Sequence, residues 1–290
     1  MGPRGAEAPA RARDLCQNER RHDPYPDDER LRNAVYFYGT CLVDLFYPEA
    51  GMAGIELLRR AGLEVVFPQA QTCCGQPAFN SGYAADARAV ARAQVALFRE
   101  PWPVIVPSGS CAAMMRCHYP GLFAGEPDLP AVAALAGRVH ELTEFLVDVL
   151  GVKLADRGLP VRVAWHASCH ALRELGAGEQ PKALLGQLAN VELVPLARER
   201  ECCGFGGTFS VRFPEVSAAM VADKADDVAA SGATELLAAD CGCLLNIAGR
   251  LARTGSTVRA RHIAEFLWER TRAAPPPAAP PPDAAAAGRR

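Results

Sequence analysis

Short, continuously apolar runs alternate along the chain with stretches in which apolar residues recur at helical spacing. The runs VIVPSG (104–109) and VRVAWHA (161–167) are typical of strands that are buried on both faces of a parallel sheet. The stretches 83–100 and 214–232 show the helical pattern, and the second begins with a proline and ends with a glycine. This alternation predicts an α/β fold with mainly parallel sheets.

The same pattern occurs twice. The segment AVYFYGTC (34–41) parallels VRVAWHASC (161–169), and each is an apolar run that ends in a cysteine. Further pairs follow in the same order: LEVVFPQAQTCCG with VELVPLARERECCG, VIVPSGSC with ELLAADCGC, and RVHELTEFL with RARHIAEFL. Such self-similarity predicts an internal duplication. We therefore expect two similar lobes, residues 33–155 and 156–272, each with a mainly parallel sheet flanked by helices.

The two ends of the chain lack this pattern. Residues 1–32 are rich in Arg, Pro and acidic residues, and residues 273–290 contain two Pro triplets, so both segments are predicted to be disordered. The N-terminal segment has no apolar stretch of the kind that a secretory signal needs. No run of residues approaches the roughly 20 apolar positions of a membrane span. These features predict a soluble, cytoplasmic protein.

Charge and cysteine content narrow the possible functions. The chain has 31 Lys and Arg against 33 Asp and Glu, so no basic surface for nucleic acid is expected. Its 11 cysteines occur in 290 residues, a chain too long to be a disulfide-stapled miniprotein. In a reducing compartment, these thiols indicate metal or redox chemistry. No G-x-G-x-x-G segment accompanies a strand and a helix, so no nicotinamide or flavin site is predicted.

Eight of the cysteines form two matching sets at or just after the ends of predicted strands. The first set is Cys41, Cys73, Cys74 and Cys111, and the second set is Cys169, Cys202, Cys203 and Cys243. Loops at the carboxyl ends of parallel strands converge on one edge of the sheet, so we expect one cysteine cluster in each lobe. The remaining cysteines, which have no assigned role, are Cys16, Cys117 and Cys241.

Three kinds of chemistry are open to four thiols in each lobe. Disulfides are disfavoured because adjacent cysteines rarely bridge without strain and because cytosolic thiols stay reduced. Zinc sites usually take cysteines that are separated by two to four residues rather than adjacent ones. Adjacent thiolates suit an iron–sulfur cluster, in which neighbours can bind different iron atoms. Gly75 and Gly204 follow the adjacent pairs and permit the positive φ that a close approach to a cluster needs.

At these residues the chain resembles the LutA/YkgE family (lactate utilisation protein A), whose members carry a repeated cysteine-rich CCG motif. The most similar segments are CCGQPAFNSG (73–82), PSGSCAAMM (107–115), HASCH (166–170) and ECCGFGGTFS (201–210). The resemblance extends over about residues 33–270. The wider group includes the iron–sulfur subunit of glycolate oxidase and the CCG-containing subunit of heterodisulfide reductase.

The resemblance implies an iron–sulfur electron-transfer subunit of an oxidoreductase complex that converts L-lactate to pyruvate. It implies partner proteins similar to LutB and LutC, and it assigns no catalytic residue to this non-flavin subunit. It also implies one or two iron–sulfur clusters in each chain, of the [4Fe–4S] type. The implied iron ligands are the two cysteine sets, Cys41, Cys73, Cys74 and Cys111 for one cluster and Cys169, Cys202, Cys203 and Cys243 for the other.

One departure from the wider group limits the analogy. In heterodisulfide reductase each repeat ends in C-x-x-C, whereas the matching positions here are Met114 and Asn246, and neither is a thiolate. Cys117 and Cys241 have different spacings from the family's terminal cysteine. A thiol–disulfide redox subunit of the reductase type therefore stays an alternative that is disfavoured. A zinc-stabilised scaffold without redox function is the other alternative.

Four further polar residues near the motifs have weaker claims to a function. His166 and His170 flank a cysteine of the second set; either can support a redox centre, but packing at a strand end is favoured for His166. For His170 the two interpretations are equally supported. Arg212 and Lys224 are expected to be solvated surface cations rather than ligands of a carboxylate substrate.

Overall fold

The computed structural model describes residues 33–272, which form two four-stranded sheets flanked by helices. The strands of the first lobe are β1 Ala34–Phe37, β2 Glu64–Val66, β3 Val104–Val106 and β4 Val139–Glu141. Those of the second are β5 Val161–Trp165, β6 Val191–Val194, β7 Glu235–Ala238 and β8 Arg259–His262. Both predicted tails lie outside the described residues.

The two sheets have the same topology. The strand order is β2–β1–β3–β4 in the first sheet and β6–β5–β7–β8 in the second, and every pairing is parallel. Strands β1 and β3 are buried along their whole length, as their continuously apolar sequences predict, and β7 is equally buried although it begins with Glu235. The expectation that the run 161–167 is buried on both faces holds only for the last three residues of β5, because Arg162 is exposed. The predicted α/β fold with duplicated lobes and mainly parallel sheets is confirmed.

Helices connect the strands of the first lobe. They are α1 Cys41–Phe46, α2 Pro48–Arg60, α3 Gln76–Asn80, α4 Ala84–Val95, α5 Gly109–Ala113, α6 Tyr119–Leu122, α7 Leu129–Ala136 and α8 Leu142–Glu144. Two π-helical turns, Met114–His118 and Phe145–Val149, continue α5 and α8. The predicted helical stretch 83–100 is observed as the shorter α4, which ends at Val95.

The second lobe has fewer helices among the described residues, and one of them, Pro214–Ala230, is longer than any helix of the first lobe. They are α9 Gln180–Leu185, α10 Phe209–Arg212, α11 Pro214–Ala230, α12 Cys241–Arg253 and α13 Ile263–Thr271, with a π-helical turn at Ala171–Leu175. The helix predicted over 214–232 is α11; it begins at Pro214 as expected, and Gly232 follows its end with φ +73°. None of the helices within residues 33–272 is long and apolar enough to cross a membrane.

The two lobes share a hydrophobic core and pack reciprocally. The largest buried cluster includes Phe37 and Phe145 of the first lobe together with Trp165, Leu237 and Phe266 of the second. Helix α5 contacts the π-helical turn after β5, and its counterpart α12 contacts α1, the counterpart of that turn. Because equivalent elements exchange equivalent contacts, the lobes are related by an approximate twofold axis. This axis brings the carboxyl edges of the two sheets together.

Candidate functional site

A cavity of about 150 Å³ lies between the two lobes, and all eight cysteines of both sets line it. Its wall also contains Ser108, Ser168 and Asp240, which lie in the loops after strands β3, β5 and β7. The cysteine spacing predicts one cluster in each lobe, whereas in the structure both clusters face one space. They do so because the twofold axis apposes the two sheet edges at which ligands of α/β proteins bind.

Within the first set, the thiols form a continuous chain of contacts. The Sγ atoms of Cys74 and Cys111 are 3.4 Å apart, and the Cys73 thiol lies close enough to those of Cys41 and Cys74 to interact with both. Cys41 is the first residue of α1 and Cys111 lies in the first turn of α5, so two helices and the loop after β2 bring the set together. The structure thus unites the four residues that the sequence grouped.

The second set repeats this arrangement. The Cys202 thiol lies close enough to those of Cys169 and Cys203 to interact with both, and the Cys203 thiol in turn interacts with that of Cys243. Cys243 lies in the first turn of α12, the counterpart of α5. The two sets therefore have the same order of contacts along the chain.

Each set contains one thiol that is strongly acidified. Hydrogen bonds from Cys41 and then Cys74 lower the pKa of Cys73 to about 3. Hydrogen bonds from Cys169 and then Cys203 lower the pKa of Cys202 to about 2. The donating thiols have raised pKa values, because each of them is bonded to a neighbouring sulfur and is buried. Each set thus holds one thiol in the thiolate form that binds a metal cation.

The glycine of each CCG motif fixes the position of the first of the two adjacent cysteines. The amide N–H groups of Gly75 and Gly204 donate to the Sγ atoms of Cys73 and Cys202 respectively, each at 3.4 Å. Their φ angles are +84° and +82°, in the region that glycine adopts without strain. A Cβ atom on Gly204 would lie 2.8 Å from a backbone oxygen, so this turn has no room for a side chain.

Asp240 joins the two lobes beside the cysteines. Its carboxylate accepts hydrogen bonds from Ser110 N at 2.8 Å, from Ser110 Oγ at 2.9 Å and from Ser168 Oγ at 2.9 Å. A further bond from Ser108 Oγ measures 3.3 Å, and the side chain is 4% exposed. Sequence reasoning missed this residue. Its only signal is that it aligns with Ser108, three positions before the last cysteine of each set.

His166 is the second residue whose surroundings the sequence analysis did not foresee. The side chain is fully buried, and neither ring nitrogen has a hydrogen-bond partner among the described residues. Burial, and secondarily the charge of Lys224, lowers the pKa of the imidazole to about 3, so the ring is neutral. A ring nitrogen and the Sγ atoms of Cys203 and Cys243 all lie within 4.8 Å of one another.

The sequence of this chain is similar to those of known proteins that carry the same cysteine motifs. The family model for the CCG cysteine-rich domain matches residues 35–116 and 163–248. Lactate utilization protein A of Geobacillus kaustophilus is 49% identical over 234 residues, which are 80% of this chain and 98% of that protein. This chain belongs to the lactate utilization protein A family. The Bacillus subtilis member is 45% identical over the same length, again 80% of this chain and 98% of that protein. The family expected from the cysteine motifs is confirmed.

Among solved structures, a hypothetical protein from Helicobacter pylori has a similar fold. The TM-score is 0.56 at 10% sequence identity, and the match covers 82% of this chain and 49% of that one. At this identity, the similarity concerns the fold alone.

Within this family fold, two positions that depart from C-x-x-C have structural roles. Asn246 Nδ2 donates to the carbonyl oxygen of Cys203 at 2.8 Å and so holds the second CCG loop. In the first lobe, Tyr119 Oη makes the same bond to the carbonyl oxygen of Cys74, also at 2.8 Å. Met114 is fully buried in the core of the first lobe.

The expectation that Lys224 is a solvated surface residue is wrong. Its side chain is 1% exposed, and its ammonium group donates to the backbone oxygen of Arg198. Lys224 is the eleventh residue of α11, and the eleventh residue of the equivalent helix α4 is Gln94, which is also buried. Burial lowers the pKa of Lys224. Arg212, in contrast, is exposed as expected.

The remaining residues that sequence analysis singled out have distinct positions. His170 lines the cavity, with Nδ1 3.6 Å from the Sγ of Cys169. Cys241 is buried and also lines the cavity. Cys117 packs against the core of the first lobe and is not among the cavity-lining residues. Cys16 lies outside the described residues.

The residues present fit an iron–sulfur cluster in each lobe. Four cysteines, the usual number of ligands of a [4Fe–4S] cluster, converge in each set. The two ring nitrogens of His166, unpaired within residues 33–272, are a second indication, because a buried polar atom without a partner costs about 1–3 kcal/mol unless a bound group contacts it. Short turns with backbone N–H groups directed at sulfur, such as those at Gly75 and Gly204, are the third.

Proposed function

We propose that this protein is an iron–sulfur electron-transfer subunit of a cytoplasmic oxidoreductase complex that oxidises L-lactate to pyruvate. The observation that carries the proposal is the pair of matched four-cysteine sets on one cavity between the lobes. Two similar relatives named lactate utilization protein A supply the metabolic context. The proposed ligands are the first set for one [4Fe–4S] cluster and the second set for the other.

The arrangement of the thiols favours iron–sulfur clusters over structural zinc. In each set, two of the cysteines are adjacent in sequence, and their reduced thiols interact with each other. Each of these two thiols also interacts with one further cysteine of the set, and that cysteine differs between the two. Such a chain of sulfurs spreads over a body with several metal atoms, whereas a single zinc ion needs four ligands around one point. The zinc-stabilised scaffold is therefore the weaker alternative.

The electron balance of lactate oxidation assigns the subunits different tasks. Conversion of L-lactate to pyruvate releases two electrons and two protons, whereas an iron–sulfur cluster, when bound, transfers electrons one at a time. The chain carries no flavin or nicotinamide motif, so we assign the two-electron step to a LutB-like or LutC-like partner. In this subunit, the cysteines hold the clusters, and the Gly75 and Gly204 amides adjust the charge on their sulfurs.

Anaerobic reconstitution tests the ligand assignment. The wild-type protein should bind iron and sulfide and show visible absorbance that dithionite bleaches. Cys74→Ser and Cys203→Ser should each lose about half of the iron, because each removes one buried ligand from a four-ligand cluster. Cys241→Ser is the matched control, since Cys241 is buried at the same cavity but belongs to neither set. Unchanged iron in both ligand variants, or stoichiometric zinc in anaerobic preparations, contradicts the proposal.

A genetic experiment tests the metabolic assignment. A strain that lacks the gene should fail to grow on L-lactate as the carbon source but should grow normally on pyruvate. The wild-type gene should restore growth, and the Cys74→Ser and Cys203→Ser variants should not, whereas Cys241→Ser should. Purification of the tagged protein from the complemented strain should recover the LutB-like and LutC-like partners. Normal growth of the deletion strain on L-lactate would refute the role in lactate utilisation.

A further inference from the structure

The buried side chain of His166 in the second lobe lacks hydrogen-bond partners for its ring nitrogens within residues 33–272. Its imidazole is completely buried. The backbone N–H of His166 is bonded to Leu237 O at 2.8 Å, so β5 keeps its place in the sheet whatever the side chain does. A side chain with only a packing role would be apolar at this position, because burial of unpaired ring nitrogens is unfavourable.

The ring lies where metal ligands are expected. A nitrogen of His166 and the Sγ atoms of Cys203 and Cys243 are mutually within 4.8 Å, and all three residues are buried. A nitrogen and a sulfur that bind the same metal atom, with bonds of about 2.0 to 2.3 Å, have a separation of this order, so His166 is close enough to join Cys203 or Cys243 on one iron atom.

The equivalent position in the first lobe provides an internal control. Tyr38 stands three residues before Cys41, as His166 stands three residues before Cys169. Tyr38 is equally buried, but its hydroxyl donates to the backbone oxygen of Thr72. The polar atom at this position in the first lobe is therefore satisfied by the protein itself. The unpaired ring nitrogens of His166 thus do not follow from the fold that the two lobes share.

We propose that His166 is a ligand of the metal centre in the second lobe and binds it through one ring nitrogen, beside Cys203 and Cys243. The inference rests on the proposed function, because it concerns the centre that the second set holds. It makes the two centres chemically different: the first has thiolates alone, and the second has thiolates and an imidazole. The second centre would then have five protein ligands, so one of its iron atoms would take two of them, and its reduction potential would differ from that of the first centre.

Pulsed EPR on protein with ¹⁵N-labelled histidine tests this directly. In the full-length Cys74→Ser variant, only the second-lobe centre is expected, and after reduction it should show coupling to a histidine nitrogen. In the full-length Cys203→Ser variant, only the first-lobe centre is expected, and it should show none. Absence of the coupling in Cys74→Ser protein that retains second-lobe iron overturns the inference alone. Wild-type protein that binds no iron overturns the proposed function and the inference with it.

Substitutions at position 166 distinguish a ligand from a neighbour. In the Cys74→Ser background, His166→Cys should keep the iron, lose the nitrogen coupling and shift the reduction potential downward, because a thiolate then replaces the imidazole. His166→Leu, which retains the volume of the side chain without a ligand atom, should also abolish the coupling. His170→Gln is the control and should preserve the coupling, since its ring is a neighbour of Cys169 rather than of Cys203 and Cys243. Coupling that persists in His166→Leu overturns the inference.

Discussion

The two lobes have the same sulfur arrangement in different electrostatic surroundings. In the first lobe, the buried residues near the cysteines are Tyr38 and Gln94, both neutral and both hydrogen-bonded within the protein. At the equivalent positions, the second lobe has His166, whose ring has no partner within residues 33–272, and the cation Lys224. Duplication has therefore kept the scaffold that positions the thiols and has changed the charge around them. The two proposed centres are expected to differ in reduction potential, because local charge and hydrogen bonding set that potential.

Among the substitutions that compare the two lobes, removal of Asp240 is expected to change the free energy of unfolding most, because its carboxylate is hydrogen-bonded to residues of both lobes. Asp240→Ala deletes the acceptor of four hydrogen bonds in a buried site, and we expect a loss of about 3–5 kcal/mol in the free energy of unfolding. Ser108→Ala, at the equivalent position of the first lobe, should cost only about 1 kcal/mol. Anaerobic denaturant titration measures both. Equal losses in the two variants would contradict the assigned asymmetry.

The helix caps after the fourth strand of each sheet predict opposite responses to pH. Burial raises the pKa of Glu141 to about 7. The contribution of its protonated carboxyl to the free energy of unfolding is therefore fully present below about pH 4.5 and is lost as the pH rises through 7. Glu141→Gln keeps an oxygen that accepts from the Thr143 and Glu144 amides but cannot ionise. The wild-type protein should lose roughly 3 kcal/mol of unfolding free energy between pH 4.5 and pH 8 through this group, and the variant should not.

His262 is the equivalent cap in the second lobe and serves as the control. Its Nδ1 accepts from the Ala264 amide, and burial lowers its pKa, so its contribution is present above pH 6.5 and is lost as the pH falls. His262→Asn should flatten the acid side of the profile and leave the alkaline side unchanged. The measurement is the denaturation midpoint from pH 4.5 to 8. If the denaturation midpoint of Glu141→Gln fell with rising pH as steeply as that of the wild type, Glu141 would not be the cause of the loss of stability.

The glycines of the CCG motifs should differ in their tolerance of a methyl group. Gly204→Ala places Cβ 2.8 Å from the backbone oxygen of Ser217, whereas in Gly75→Ala the nearest atom, Ala87 O, is 3.2 Å away. Both variants also force a positive φ on alanine, at a cost of about 1–2 kcal/mol. We expect Gly204→Ala to destabilise the protein by about 1 kcal/mol more than Gly75→Ala. Thermal unfolding of the two variants checks this order, and the reverse order would contradict it.

The smallest effect is expected at the side chains that hold the CCG loops. Asn246→Ala and Tyr119→Phe each remove one hydrogen bond to the carbonyl oxygen of a cysteine, and each should cost about 1 kcal/mol. Iron should be released faster to a chelator from the second lobe in Asn246→Ala and from the first lobe in Tyr119→Phe. Spectra recorded during chelation in the Cys74→Ser and Cys203→Ser backgrounds assign the lobe. Faster release from the lobe that was not altered would contradict the equivalent roles of Asn246 and Tyr119.

Much of the fold was predictable because its signals are local and occur twice. Buried parallel strands require continuous apolar runs, and Pro214 and Gly232 mark the ends of a helix whatever surrounds it. The cysteine grouping followed from repeated spacing, since equivalent residues of duplicated lobes occupy equivalent places.

The residues that were missed depend on tertiary contacts. Asp240 stands at a helix start, where sequence predicts a cap, yet its carboxylate binds serines from other elements. Lys224 has the sequence context of a surface residue and is buried because α11 packs against the second CCG loop. The unpaired state of His166 depends on what its neighbours within residues 33–272 fail to offer, and no periodic pattern in the sequence records that.

The contact between Ser108 and Asp240 has a consequence for how such a molecule can arise. These two residues occupy equivalent positions, and residues that touch their own equivalents lie on the twofold axis. In a dimer of identical single-lobe chains, this place would hold either two serines or two aspartates, and two apposed carboxylates would repel each other. An acid facing an alcohol is available only when the halves differ in sequence. Covalent fusion of the halves allows them to diverge independently, and it makes this mixed pairing obligatory in every molecule.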